Sequence, residues 1–558
     1  MTATKSGQDA TFSKFGGCHL FPLVLTSCVV GGSAAAAPPA IGRSPENQVF
    51  QYLAEETRPG PDGKPRSATA YLWIPPRCAR VRGVLVAGRN VPEHWLVGHD
   101  AIRAACADHD LAILWCCPSF FDHTIEDGEH HAAFLDQLVA ALAHTSGYDE
   151  LATAPWLPIG ESMHVLMVRR IVAARPDRCI AGIQIKNGST EPPAATVPML
   201  LAIGTCDEWD QETKDLLEQW RTVLIQQGLV KKRASVPAWP CSLLVEPASG
   251  HFECTEPMAG YIAAYIRAAA TARLDPAGGP TLRPVDLATG FVAGLPLADA
   301  AGVPPTPARD CPPEHASLPW FFTEALARSA SDMSDVNWQA KPQVPVFTDA
   351  AAKPLPFGRR GIFSPLPFET EDDGITFALT TGFLDRIPEG WVHGGTPLSQ
   401  AAGEPVAEWI CGPVAPLGGN RFRIALDRTW RHSPTFLRVS HPGDAEYRPG
   451  VQPAEIRLEP NTAGATQAIT FEPIPDQLAG VREVPLRATA DSGLPVRFFV
   501  RAGPAEVHGD RLVFTGIPPR SRFPLTVTVV AWQWGRASAP QVQTAPLVER
   551  TFRITAAR

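Results

Sequence analysis

The chain of 558 residues has no concentrated basic tract. Lys plus Arg number 49 against 57 Asp plus Glu, a net charge of 49 − 57 = −8. The lone cluster Lys231-Lys232-Arg233 reads as a solvated surface patch, so the electrostatic footprint of a nucleic-acid binder is missing. No apolar run after the first forty residues reaches the roughly 20 residues that a membrane-spanning helix needs. There is no Cys-x-x-Cys pair, which removes support for a structural zinc site or a thioredoxin-like motif. No Walker A loop occurs and no Gly-x-Gly-x-x-Gly follows a strand, so no nucleotide cofactor is expected. His123, His130 and His131 lie among acidic residues but without His-Glu-x-x-His spacing, and read as part of a solvated acidic loop with no metal. Charged residues make up only 19% of the chain against 45% hydrophobic, so there is ample material for packed cores.

Proline is abundant instead: 57 residues, about twice the usual share of about 5%, which disfavours long uninterrupted helices. The first residues carry Lys5 and Lys14, and the next charged side chain is Arg43. Between them an apolar centre, Leu20 to Val30, gives way to small residues with an Ala35-x-Ala37 cleavage site. This predicts a signal peptide over residues 1–40 and a secreted or periplasmic protein. Leu25-Thr26-Ser27-Cys28 resembles a lipobox, which offers a lipid anchor at Cys28 as a second processing route. Removal of the leader takes Cys18 and Cys28 and leaves 12 − 2 = 10 cysteines, most of them in apolar runs that suit core thiols.

From residue 41 to 275 short apolar runs alternate with helix-length amphipathic stretches, the rhythm of a mainly parallel sheet covered on both faces. Strands are expected at Gly83 to Ala87, Leu111 to Cys116, Trp156 to Ile159, Val197 to Ile203 and Ser242 to Glu246, with helices at His99 to His109, Ala132 to His144 and Met163 to Ala174. Residues 276–345 are rich in Pro, Ala and Gly, a connector with one short helix at Trp320 to Ala330. Residues 346–465 and 466–558 show short strands with turn punctuation, the spacing of all-β domains.

The stretch Trp156-Leu157-Pro158-Ile159-Gly160-Glu161-Ser162-Met163-His164 runs from a strand through a Gly-x-Ser turn into a helix. A sharp turn there lifts the serine oxygen above the sheet and places the Met163 amide at a helix N-terminus, aimed at a developing oxyanion. The other role open to Ser162 is that of a helix N-cap. His164 stands where a small residue would let helix and strand pack closely; its side chain either faces solvent or loosens the turn. Downstream, Gly204-Thr205-Cys206-Asp207 ends an apolar strand with a carboxylate, and Gly250-His251-Phe252 follows the next. The order Ser162, Asp207, His251 is that of a nucleophile, acid and base on such a sheet; Glu208 and Asp210 are the substitute acids. Trp95, Trp209, Trp220 and Trp239 are candidates for a substrate cleft.

With these motifs, residues 45–275 resemble the α/β-hydrolase superfamily, close to exported bacterial esterase-like members, which carry a Ser-Gly-Tyr-x-Glu-Leu stretch before the serine turn (Ser146 to Leu151) and a Pro-Asp-Arg after the next helix (Pro176 to Arg178). The resemblance implies a second oxyanion donor after the strand Gly83 to Ala87, at the backbone of Asn90 or Val91. It implies a serine hydrolase cleaving carboxylic esters, of small molecules or linked to polysaccharide, without a cofactor. An inactive scaffold that binds extracellular ligands and a serine peptidase remain the alternatives. Ala468-Ile469-Thr470-Phe471 and Ser492-Gly493-Leu494-Pro495-Val496 resemble the bacterial Ig-like β-sandwich modules of exported proteins, which implies a spacer or surface and glycan contacts rather than chemistry.

Overall fold

The computed structural model describes residues 49–206, 220–297, 301–337, 339–358, 363–432 and 435–557. The expected leader over residues 1–40 with Cys28, and Asp207, Glu208, Trp209 and Asp210, lie outside the described residues. Eight strands form one sheet: β1 (Tyr52–Pro59), β2 (Pro65–Trp73), β3 (Gly83–Ala87), β4 (Leu111–Cys116), β5 (Trp156–Glu161), β6 (Gly182–Ile185), β7 (Met199–Gly204) and β8 (Cys241–Glu246). Their order is β1-β2-β4-β3-β5-β6-β7-β8. β1 and β2 form an antiparallel hairpin that pairs antiparallel with β4, and every later pairing is parallel. Every side chain of β3, β4, β5, β7 and β8 is buried, as strands covered by helices on both faces require.

The helices are α1 (Val91–Val97), α2 (Asp100–Asp108), α3 (Gly128–Ser146), α4 (His164–Ala174), α5 (Trp220–Ser235) and α6 (Glu256–Arg273). α2 packs on α6 and α3 on α4, giving the two covering layers. Local chemistry sets their ends: the Asp127 carboxylate accepts the Glu129 amide at the start of α3, Gly147 closes it in the left-handed conformation, and Thr255 caps α6. This order and connectivity is the mainly parallel, doubly covered sheet expected from the strand and helix rhythm, and the α/β-hydrolase fold that the resemblance implied. Among the described residues no helix is long and apolar enough to cross a membrane.

The proline-rich stretch after α6 is more ordered than a connector. Phe291–Gly294, Val303–Pro307 and Trp320–Phe321 form a three-stranded sheet. The expected helix at Trp320 begins later, as Glu324–Ser334, because Trp320 and Phe321 pair with Val292 and Phe291 and the Thr323 hydroxyl caps the helix at Leu326. Ser242 on β8 donates to the Trp320 carbonyl at 2.7 Å, and Phe321, Leu326 and Ala330 join the main core.

Beyond it, the C-terminal part consists of several separate, mostly antiparallel sheets. Ser364–Leu366, Gly450–Ile456, Thr435–His441 and Val406–Cys411 make one, facing Thr376–Ala378, Arg421–Ile424 and Val414–Gly418 across a core of Phe377, Phe422, Leu437 and Ile456. The last ninety residues add a four-stranded, a three-stranded and a two-stranded sheet whose inward side chains, Val500, Leu512, Val527, Phe552 and Phe471 among them, belong to the same apolar cluster as the α/β core. The described residues form one compact unit. Among the described residues eight of ten cysteines are buried thiols, and burial pushes Cys106 and Cys179 up to about 12.

Candidate functional site

Ser162 follows β5 directly and has φ 52°, a left-handed conformation that a side chain other than glycine adopts only under constraint. Three contacts impose it. The Ser162 amide donates to the Ile185 carbonyl of β6 at 2.9 Å, the Asn187 side chain donates to the Ser162 carbonyl at 3.2 Å, and the Val165 amide donates to that same carbonyl at 3.2 Å. Gly160 makes the turn sterically feasible: a Cβ there would lie 2.4 Å from the carbonyl oxygen of His164. Met163 is half exposed and stands as the N-cap residue of α4.

His164 takes neither of the two courses expected from its size. It is buried, with Nδ1 2.8 Å from the fully buried Glu93 carboxylate and its ring edge-on to Phe121. Gly88 leaves the room: a Cβ on Gly88 would fall 2.3 Å from the imidazole. The turn is therefore tight at Gly160, and the bulk of His164 is absorbed beneath β3 and α1.

His251 lies in the loop between β8 and α6, 3% exposed, with Nε2 2.8 Å from Ser162 Oγ. The two residues singled out from opposite ends of the domain thus meet. Glu161, buried beside the serine, places Oε1 3.4 Å from the same Nε2. Its other oxygen accepts the Asn90 side-chain amide at 2.5 Å, and Asn90 also donates to the Glu161 carbonyl at 3.0 Å. Asn90 is the N-cap residue of α1, at the carboxyl end of β3 next to β5, where the resemblance puts the second oxyanion donor. Cys206, the residue before Asp207, donates its amide to the Ser249 carbonyl at 2.9 Å, so β7 delivers the chain beside the histidine loop.

Under that loop lies a buried ion pair. Lys186 after β6 reaches Glu246 at the end of β8 at 2.9 Å and also bonds the Ser249 hydroxyl, while the other Glu246 oxygen accepts the Thr255 amide at 3.0 Å. Neither charge is exposed, which is tolerated because each is paired and hydrogen-bonded. Sequence reasoning passed over Glu161, Lys186 and Glu246. Their signal was available: each is a charged residue at or just after the carboxyl end of a mostly apolar parallel strand, the edge at which open α/β sheets hold their ligands.

Trp95 and Trp239 are core residues, 2% and 0% exposed, rather than cleft walls. His131 is buried and donates from Nε2 to the Ile125 carbonyl at 2.9 Å; burial holds it below the usual imidazole range. Arg66 and Thr124 bond Asp122, and among the described residues no group of three ligating side chains could hold a metal.

No protein-family profile matches the chain, and no curated protein matches it. Among solved structures, it is similar to an S-formylglutathione hydrolase from Agrobacterium tumefaciens, at 11% identity over 39% of this chain and 94% of that one, TM-score 0.28. It is similar to poly(aspartic acid) hydrolase-1 from a Sphingomonas species, at 14% identity over 39% and 99%, TM-score 0.29. A poly(3-hydroxybutyrate) depolymerase from Bordetella parapertussis matches at 14% identity over 42% and 96%, TM-score 0.28.

Proposed function

We propose that the protein is an exported serine hydrolase acting on carboxylic esters. The observation that carries the proposal is the 2.8 Å contact between His251 Nε2 and the oxygen of a serine held at positive φ between a parallel strand and a helix. His251 takes the Ser162 proton as the oxygen attacks the acyl carbon, then returns it to the leaving alcohol. Asp207, which follows β7 in sequence, holds the imidazole tautomer and stabilises its charged form. Glu161, buried with Oε1 3.4 Å from His251 Nε2, places a further acidic side chain beside the base. Backbone amides of Met163 and of Asn90 or Val91 hold the tetrahedral oxygen. Water then attacks the acyl-enzyme with His251 as base. The loops over the strand ends choose the ester, and the C-terminal sheets, with an Ig-like sandwich at the end, contact a surface or glycan.

Labelling by a fluorophosphonate tests this reading. Wild type is expected to label, and Ser162→Ala and His251→Ala are expected to lose labelling and about 10⁴- to 10⁶-fold in ester turnover while keeping their circular dichroism. A folded wild type that does not label supports a binding protein instead. Comparable rates on matched ester and anilide substrates support a peptidase.

A further inference from the structure

The loop that presents His251 is held from two directions. From below, the Lys186–Glu246 pair and Thr255 fix its ends within the α/β sheet. From above, the contacts come from a strand nearly two hundred residues away. Glu253 is fully buried; one of its carboxylate oxygens accepts the Gly250 amide, and the other meets Arg438 Nη1 at 2.8 Å. Arg438 lies on the strand Thr435–His441, directly across from Glu408 on Val406–Cys411. Its Nε donates to Glu408 Oε2 at 2.8 Å, and the Ser440 hydroxyl donates to that same oxygen at 2.6 Å. The guanidinium therefore bridges two carboxylates, one in each region, with its planar fork. The flanks of His251 are also packed from the same side. Pro453 lies against Gly250, and the Phe252 ring meets Phe436 at 5.2 Å and Phe363 at 6.2 Å.

We propose that Arg438 is a positioning residue for His251: through Glu253 and the Gly250 amide, the C-terminal β region sets where the imidazole stands relative to Ser162. The inference rests on the serine-hydrolase reading for its effect on turnover, and on geometry alone for its effect on the loop. A buried ion pair is a poor source of net stability but a strong source of register, because a misplaced partner leaves an uncompensated charge. Here the register is that of a loop carrying the base. A lysine would supply the charge to Glu253 without spanning to Glu408.

The test compares wild type, Arg438→Met, Arg438→Lys and the double variant Arg438→Met/Glu253→Gln. Each is read by turnover of p-nitrophenyl acetate, by the rate of fluorophosphonate labelling, and by hydrogen exchange over residues 247–255. In Arg438→Met, kcat and the labelling rate should fall about 10- to 100-fold, the size expected for an ångström-scale misplacement, with KM nearly unchanged. Exchange in the loop should quicken while β3 to β8 stay protected. The double variant should recover most of the loss, since a neutral glutamine carbonyl accepts the Gly250 amide without a counter-charge, and Arg438→Lys should fall between. Wild-type kcat and loop exchange in Arg438→Met, or a double variant no better than the single one, overturns the inference. If wild type neither labels nor turns over, the ester-hydrolase reading fails, and the exchange comparison alone decides whether Arg438 anchors the loop.

Discussion

His164 shows how a residue that breaks a pattern can be accommodated one layer down. Its imidazole occupies space that Gly88 leaves open, and it partners a Glu93 carboxylate with no exposure of its own. Replacing His164 by Ala strips the partner from Glu93, and the expected cost is about 1–3 kcal/mol, the penalty for an unsatisfied buried polar group. His164→Gln, which can still donate to Glu93, should recover most of it. Urea midpoints at constant slope measure both, and equal midpoints for Ala and wild type would remove Glu93 from the account. Ser162 and His251 were legible residue by residue because their neighbours are diagnostic: a glycine two before the serine, a strand end before the histidine. Glu93 was not, because a glutamate in Val91-Pro92-Glu93-His94 looks like any solvated helix residue until the fold buries it.

At the scale of elements, β5 and α4 meet at Gly160, where a methyl group would lie 2.4 Å from the His164 oxygen and 2.6 Å from its carbon. Both are backbone atoms, so neither can swing aside. Gly160→Ala is expected to cost about 1–3 kcal/mol through overpacking and to slow fluorophosphonate labelling, because the helix must withdraw and carry Met163 with it. The tie between Thr435–His441 and the histidine loop predicts a pH dependence. Burial raises the Glu253 carboxyl above its ordinary 4.5, against the lowering effects of Arg438 and Lys186. The native state therefore holds this proton to higher pH than the unfolded chain, and stability falls as pH rises from about 4.5 through the native value. Removing Arg438 raises that native value further. The stability deficit of Arg438→Met should thus grow from pH 5 to pH 7, and Glu253→Gln in the same background should flatten it, as melting curves across that range will show. Strand positions such as Leu111–Cys116 could be read from sequence because both faces are apolar. Helix α1 could not, since its seven residues start with Val91-Pro92 and are too few to show a period.

At the scale of the whole molecule, the C-terminal sheets are joined to the α/β domain by its core. Tyr52 Oη meets Ser521 Oγ at 2.5 Å, the Arg522 amide donates to the Ser146 carbonyl at 2.8 Å, and Arg520 pairs with Glu150 at 2.9 Å. Side chains from Phe471 to Ile554 continue the apolar cluster that begins at Phe50. Val91 and Phe252 pack on Ile410, Cys411 and Phe436. A chain ending at residue 345 would expose both apolar faces and release the loop of His251, so it should aggregate and fail to label. Size-exclusion chromatography and fluorophosphonate labelling check this, and a monomeric, fully labelling fragment would show that the β regions are accessory.

What the sequence by itself determined is local. A run of apolar residues buried on both sides must be a central strand, a glycine before a strand-to-helix serine must make a sharp turn, and turn-rich short strands must make all-β regions. These follow from chemistry that acts over a few neighbours. What only the tertiary structure decided is which distant charged and polar side chains share a buried space. Glu161 with Asn90, Lys186 with Glu246, and Glu253 with Arg438 are each separated by 60 residues or more. Their pairing is dictated by the cost of burying a charge alone. That cost exists only once the sheet, the loop and the β region have excluded water together, and no stretch of sequence carries it.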